Sequence, residues 1–164
     1  MNNKNYWDNK IIEWEDSIRG KDNISFVERL ASCFRNTLKV RTEMCLNILN
    51  PFAKDKEVLE LGCGSGYFAF ELYSQAKPKC IIGIDISGNA IRRAQSVSEN
   101  KEVMNTFTFL EGDVASISLP EADITIGLGF LDYLTLQEIK MLFKKIKSSY
   151  FLFTFAEKRF CLRR

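Results

Sequence analysis

One run of residues limits the possible folds more than any other: Val58-Leu59-Glu60-Leu61-Gly62-Cys63-Gly64-Ser65-Gly66-Tyr67-Phe68. An apolar strand passes into an acidic residue and three alternating glycines, and a helix is predicted to begin at once. Glycine tolerates positive φ and has no Cβ, so Gly62, Gly64 and Gly66 allow a sharp strand-to-helix turn on whose backbone a ligand can lie. A tight turn in an α/β domain is the plainer alternative. The dinucleotide-binding fingerprint G-x-G-x-x-G would put its third glycine at position 67, which is Tyr67. The spacing found is G-x-G-x-G, with Glu60 two residues ahead of the first glycine.

Further along, Cys80-Ile81-Ile82-Gly83-Ile84-Asp85 reads as a second strand ending in a carboxylate, where a ribose-binding acid is expected in βαβ nucleotide folds. A third strand, Thr106 to Leu110, runs into Glu111-Gly112-Asp113, and a fourth, Ala122 to Leu128, into Gly129-Phe130-Leu131-Asp132-Tyr133. Successive strands thus carry glycine, acid or both at their carboxyl ends, where open parallel sheets bind ligands. Helices are expected over Tyr67 to Gln75, Asn89 to Glu99 and Leu136 to Ile146, with Ser87 capping the second and Thr135 or Asp132 the third. Ser149 to Phe155 reads as a fifth strand. This alternation predicts an α/β fold with a doubly wound sheet and right-handed crossovers.

Between about Lys56 and Phe155 these ordered motifs resemble the class I S-adenosylmethionine-dependent methyltransferases. The resemblance implies a Rossmann-like, mainly parallel sheet. It also implies that Glu60, Gly62, Cys63, Gly64 and Gly66 hold the methionine part and adenosine of S-adenosyl-L-methionine. Asp85 matches the acid that takes both ribose hydroxyls, and Ile86 the apolar residue beside the adenine. Asp113 matches the acid near the adenine amino group, with the Val114 amide close to the ring. Leu128 and Gly129 fall under the cofactor's amino-acid tail. The chemistry agrees: one ionised carboxylate can accept from two neighbouring hydroxyls. Competing local roles are a helix cap at Asp85, for which Ser87 is better suited, and an ordinary turn at Asp113. Glu60 is expected to hold the loop amides or the cofactor's ammonium, and either role is expected to need its charge.

With 164 residues the chain fits one domain, and burial of roughly 68–70% of the extended surface gives a real core at about this size. A formal charge of +2 is too small to argue for a nucleic-acid surface. The cluster Lys144-Lys145-Ile146-Lys147 suits the last turn of a helix, where cations meet the dipole. Five cysteines without a C-x-x-C pair point to reduced thiols, with no disulfide frame and no metal site. Cys63 itself is expected to be a small filler. No signal peptide, membrane-length apolar run or lipidation signal is found, so the expected location is cytoplasmic.

Residues 1–50 read as an N-terminal helical cap or lid, broken at Gly20-Lys21-Asp22-Asn23 and stopped at Asn50-Pro51, ahead of an S-adenosylmethionine-binding α/β core over 51–164. In this segment Lys39 and Arg41 are candidates to meet an anionic acceptor, with solvated surface charge as the alternative. The resemblance implies seven strands in the order 3-2-1-4-5-7-6, and the residues after strand five are too few for the last two. The expectation is therefore a C-terminally short core whose apolar fifth strand is an edge that an oligomer could cover.

Methyl transfer asks the protein to align acceptor and donor and to exclude water, with a base only where the acceptor must lose a proton. The chain contains no histidine, so Asp132 and Tyr133, just past strand four, are the candidate catalytic residues, against roles in capping and packing. The N/D-P-P-Y and Pro-Cys signatures of nucleic-acid methylating enzymes are not found here. The expected acceptor is an oxygen or nitrogen of a small molecule rather than nucleic acid, and the expected product is S-adenosyl-L-homocysteine. A sugar or polysaccharide intermediate fits a likeness of the Tyr6-Trp7-Asp8 stretch and the overall layout to methyltransferases of surface-carbohydrate pathways. A cofactor-binding but silent protein and a nicotinamide-dependent oxidoreductase stay open as alternatives.

Overall fold

The computed structural model describes residues 4, 6–8, 39–100 and 103–155. Within them lie five strands: β1 (Glu57–Leu61), β2 (Cys80–Asp85), β3 (Phe107–Glu111), β4 (Ile124–Leu128) and β5 (Tyr150–Thr154). Helix α1 occupies residues 39–49, followed by α2 (Tyr67–Ala76), α3 (Gly88–Asn100) and α4 (Leu136–Lys145), with a short 3-10 turn at Leu131–Tyr133. The strands form one parallel sheet in the order β3-β2-β1-β4-β5. The predicted strands and helices are present, with boundaries shifted by one or two residues. The break at residues 20–23 lies outside the described residues, while the stop at Asn50-Pro51 coincides with the end of α1.

Side-chain alternation divides β1 between two cores. Val58 points to the layer built by α1, α2 and α3, where Cys45, Leu49, Leu72, Ala76, Ile91 and Ala94 are buried. Leu59 and Leu61 point to the other layer, with Ile84, Val114 and Leu142 of α4. A strand with apolar residues on both faces belongs at the centre of a covered parallel sheet, and β1 sits there between β2 and β4. Phe107 and Phe109 of β3 stack with centroids 5.8 Å apart and pack beside Phe70 of α2.

Local chemistry sets the helix ends. Thr135 closes a full capping box with Glu138, which decides between the two expected caps for α4. Ser87 Oγ accepts from the Ala90 amide at 3.3 Å, as expected for the cap of α3. Helix α2 ends at Lys77, a left-handed residue with φ 52° whose amide donates to Tyr73 O. No helix joins β3 to β4. Lys145, in the last turn of α4, instead pins that connection by donating to the carbonyls of Val114, Ala115 and Ile117. The outer edge is apolar, with Tyr150 and Phe151 exposed on β5. Among the described residues, no helix is long and apolar enough to cross a membrane.

Candidate functional site

At the carboxyl end of β1 the chain turns through Gly62, Gly64 and Gly66, whose φ angles are 72°, 54° and 78°. The left-handed conformation favours glycine at each position. Space imposes a second condition: a Cβ on Gly62 would stand 2.7 Å from Phe130 Cβ, and one on Gly66 would stand 2.8 Å from Phe109 Cζ. The loop amides are occupied from within the protein. Gly62 and Cys63 donate to Ile84 O at 2.8 and 3.2 Å, and Gly66 donates to Cys63 O at 2.9 Å. Cys63 is buried, its Sγ close to Gly83, consistent with a filler.

The Gly64 amide donates to Asp85 Oδ2 at 2.9 Å, and the Ser87 amide donates to Asp85 Oδ1 at 2.8 Å. Asp85 is thus buried at the end of β2 and ties the glycine turn to the start of α3. Each carboxylate oxygen retains a lone pair for a further donor. Beside it, Glu60 is 2% exposed and its Oε2 has no hydrogen-bond partner. Burial first, and then the negative charge of Asp85, raise the Glu60 carboxyl well above its ordinary range. This corrects the expectation that Glu60 works as a standing charge. In the protein alone its neutral form is favoured, and a cation arriving at Oε2 would favour ionisation.

The other predicted positions surround the same strand ends in different states. Ile86 is half-buried and follows Asp85 directly, and Leu128 packs against the core at the end of β4. Val114 is a core side chain. Asp113 is exposed, and its carboxylate accepts from the Ala115 amide and the Ser116 hydroxyl at 2.9 Å each, the geometry of a local turn. Asp132 and Tyr133 lie on the exposed 3-10 turn after β4. Partial burial, with Tyr6 and Asp132 nearby, pushes the Tyr133 hydroxyl above its usual range, which makes it a poor base. Among the described residues, no cluster of His, Cys, Asp or Glu could hold a metal ion, and Cys45, Cys63 and Cys80 are free thiols.

Residues 4 and 6–8 lie across these strand ends, a placement that sequence periodicity could not give. Trp7 meets Tyr133 edge-on with centroids 4.6 Å apart, and Lys4 pairs with Glu111 at the end of β3. Asp8 Oδ1 accepts from Ser87 Oγ at 2.8 Å and from the Asn89 amide at 3.3 Å, while Asn89 Nδ2 donates to Asp8 O at 2.9 Å. A continuous hydrogen-bonded path therefore links Gly64, Asp85, Ser87 and Asp8. Arg41 of α1 lies against Gly129, whose φ is 68°. Neither the Asp8 contacts nor the Arg41–Gly129 contact leaves a mark in the local sequence, because each joins residues far apart in the chain.

Comparison with known proteins adds an independent observation. A family described as "Methyltransferase domain" matches residues 52–151. Over 91 residues the chain is 29% identical to a protein-lysine N-methyltransferase of Saccharomyces cerevisiae, a match covering 54% of this chain and 40% of that protein. Over 72 residues it is 36% identical to a tRNA/tmRNA (uracil-C(5))-methyltransferase of Campylobacter hominis, covering 44% of this chain and 20% of that one. The chain thus spans well under half the length of either relative. Their named acceptors are unlike one another and do not favour small molecules over nucleic acid. The fold matches that of magnesium protoporphyrin IX methyltransferase from Synechocystis PCC 6803 with bound SAH. The TM-score is 0.76 at 21% identity, covering 96% of this chain and 72% of that one.

Proposed function

The chain belongs to the family of methyltransferase domains, and from that premise we propose that it moves a methyl group from S-adenosyl-L-methionine to an oxygen or nitrogen of a small metabolite, releasing S-adenosyl-L-homocysteine. The observation that carries the proposal is the pairing of two buried carboxylates beneath the glycine turn. Asp85 keeps acceptor capacity toward a diol, and Glu60 Oε2 is an orphaned buried acceptor suited to an ammonium. The nicotinamide-dependent alternative loses its ground with the family membership.

When bound, the cofactor supplies a sulfonium-activated methyl group. The chain's own part is to bind and align. Gly62, Gly64 and Gly66 offer bare backbone, Asp85 and Glu60 the polar anchors, and Ile86 and Leu128 apolar contact. Residues 1–50 act as the cap, with Trp7 and Asp8 closing over the strand ends and keeping water out. With Tyr133 held protonated and histidine absent from the chain, an acceptor needing little help to lose a proton suits the site best. Sugars or polysaccharide intermediates remain within this class, and a cytoplasmic place belongs to the same proposal.

Calorimetry on the purified chain tests the cofactor: saturable binding of S-adenosylhomocysteine and none of NADH is expected, and the reverse would overturn it. Transfer of labelled methyl from S-adenosylmethionine into cell extract tests the acceptor. Label in the small-molecule fraction supports the proposal. Label confined to protein or RNA overturns the acceptor class, and no label in any fraction, with cofactor still bound, identifies a silent binder.

A further inference from the structure

The fold sets one half-buried guanidinium at the carboxyl ends of the strands without a counter-ion. Arg41 projects from α1 across Gly129, with its Cζ 3.3 Å from where a Cβ on that residue would lie, and Nη1 would collide with such an atom. The lack of a side chain at Gly129 is what admits the guanidinium. Among the described residues, no carboxylate or carbonyl lies within bonding distance of Arg41. Other cations are paired: Lys4 with Glu111, Lys79 with Glu57, Lys147 with Glu121, and Lys145 with three carbonyls. The groups that feel the charge of Arg41 are the Tyr133 hydroxyl and the Cys45 thiol, both pushed toward their neutral forms by burial. Neither offers an anion.

A guanidinium half withdrawn from water is costly unless a planar anion meets its fork, and a carboxylate does so with two parallel hydrogen bonds. We propose that Arg41 is the carboxylate-binding residue of this site. The proposal rests on the methyltransferase reading for the two carboxylates that can reach it, the one on the cofactor's amino-acid tail and one on the acceptor. Trp7 and Tyr133 stand beside it as apolar walls, which suits an acceptor that joins a carboxylate to a flat body.

Calorimetry on the wild type, Arg41→Met and Arg41→Lys separates the sources when run with S-adenosylhomocysteine and with methylthioadenosine, which lacks the amino-acid tail. A loss of about 10- to 100-fold in Arg41→Met for the first nucleoside only, partly restored in Arg41→Lys, assigns the cofactor tail. Phenylglyoxal labelling of Arg41, read by peptide mass, gives the second arm. Protection by benzoate in the nucleoside-saturated wild type, with both nucleoside affinities unchanged in Arg41→Met, assigns the acceptor. Equal affinities in all three proteins, with labelling that neither S-adenosylhomocysteine nor benzoate slows, overturns the proposal. An equal loss for both nucleosides with a lowered melting temperature reduces Arg41 to packing on Gly129 and overturns it as well. If the wild type binds neither nucleoside, the methyltransferase reading fails separately. Benzoate protection of Arg41 in that protein then upholds the carboxylate site, and its absence overturns it.

Discussion

Asp85 accepts from the backbone amide of Gly64 at 2.9 Å, so the acid that ends β2 and the glycine turn that follows β1 form one hydrogen-bonded unit. Its other oxygen accepts from the Ser87 amide. Both bonds are buried and both donors are backbone, so the carboxylate has a structural task whether or not a ligand is bound.

Asp85→Asn tests that task. An asparagine can accept with one oxygen only, and its amide nitrogen would face a second N–H, leaving a buried donor unsatisfied. The expected loss is about 1–3 kcal/mol, read as a melting temperature lower by roughly 2–4 °C for each kcal/mol in a chain of this size. An unchanged melting temperature would show that the turn holds without Asp85.

Glu60 makes stability depend on pH in a definite direction. Its carboxyl titrates well above the unfolded value of 4.5, so the folded chain holds a proton that the unfolded chain has released. The stabilisation is full below about pH 4.5 and is lost as pH rises through the folded pKa. Glu60→Gln, which mimics the protonated form, should therefore melt higher than the wild type at neutral pH and show a flatter pH profile above 4.5. If an ammonium meets Oε2, binding expels the proton, and S-adenosylhomocysteine affinity should rise with pH in the wild type but not in the variant. A stability profile identical in the two proteins would mean that Glu60 is already ionised in the fold.

Asp8 should be the latch of the N-terminal segment. Its carboxylate is held below its usual range chiefly by the Ser87 hydroxyl, so the contact is present at neutral pH and weakens as pH falls through the folded pKa. Asp8→Ala removes an acceptor at the start of α3, a change worth about 0.5–2 kcal/mol for a cap. Hydrogen exchange should speed up at residues 6–8 and at Ser87 to Ala90 together while β1 keeps its protection. Faster exchange on one side only would separate the latch from the helix it caps.

Much of the central architecture could be read from residue order. The β1-turn-α2 unit is marked by an apolar run meeting alternating glycines, and β2 by an apolar run ending in Asp85, because both patterns are local. Thr135 and Glu138 likewise announce a capping box within four residues. What local pattern could not carry is tertiary. The protonation of Glu60 follows from burial beside Asp85, the placement of Asp8 depends on a residue beyond β2, and the Arg41–Gly129 contact joins α1 to the end of β4. Asp113 shows the reverse limit: its spacing matches a binding acid, while its carboxylate bonds Ala115 and Ser116 in a turn.

The strand order carries a cost in time. The pairs β1–β2 and β2–β3 join neighbours in sequence and can close as the chain lengthens, but β4 must return past both to lie against β1, matching Ile124 to Val58. That closure spans the longest loop in the sheet and is the slow kind of contact. The glycine turn lies on one side of this seam, and Gly129 with the turn at Leu131–Tyr133 on the other. The site therefore comes into being only at the last major step of folding. A nascent or partly opened chain can hold most of its sheet and still have nowhere for a ligand to sit.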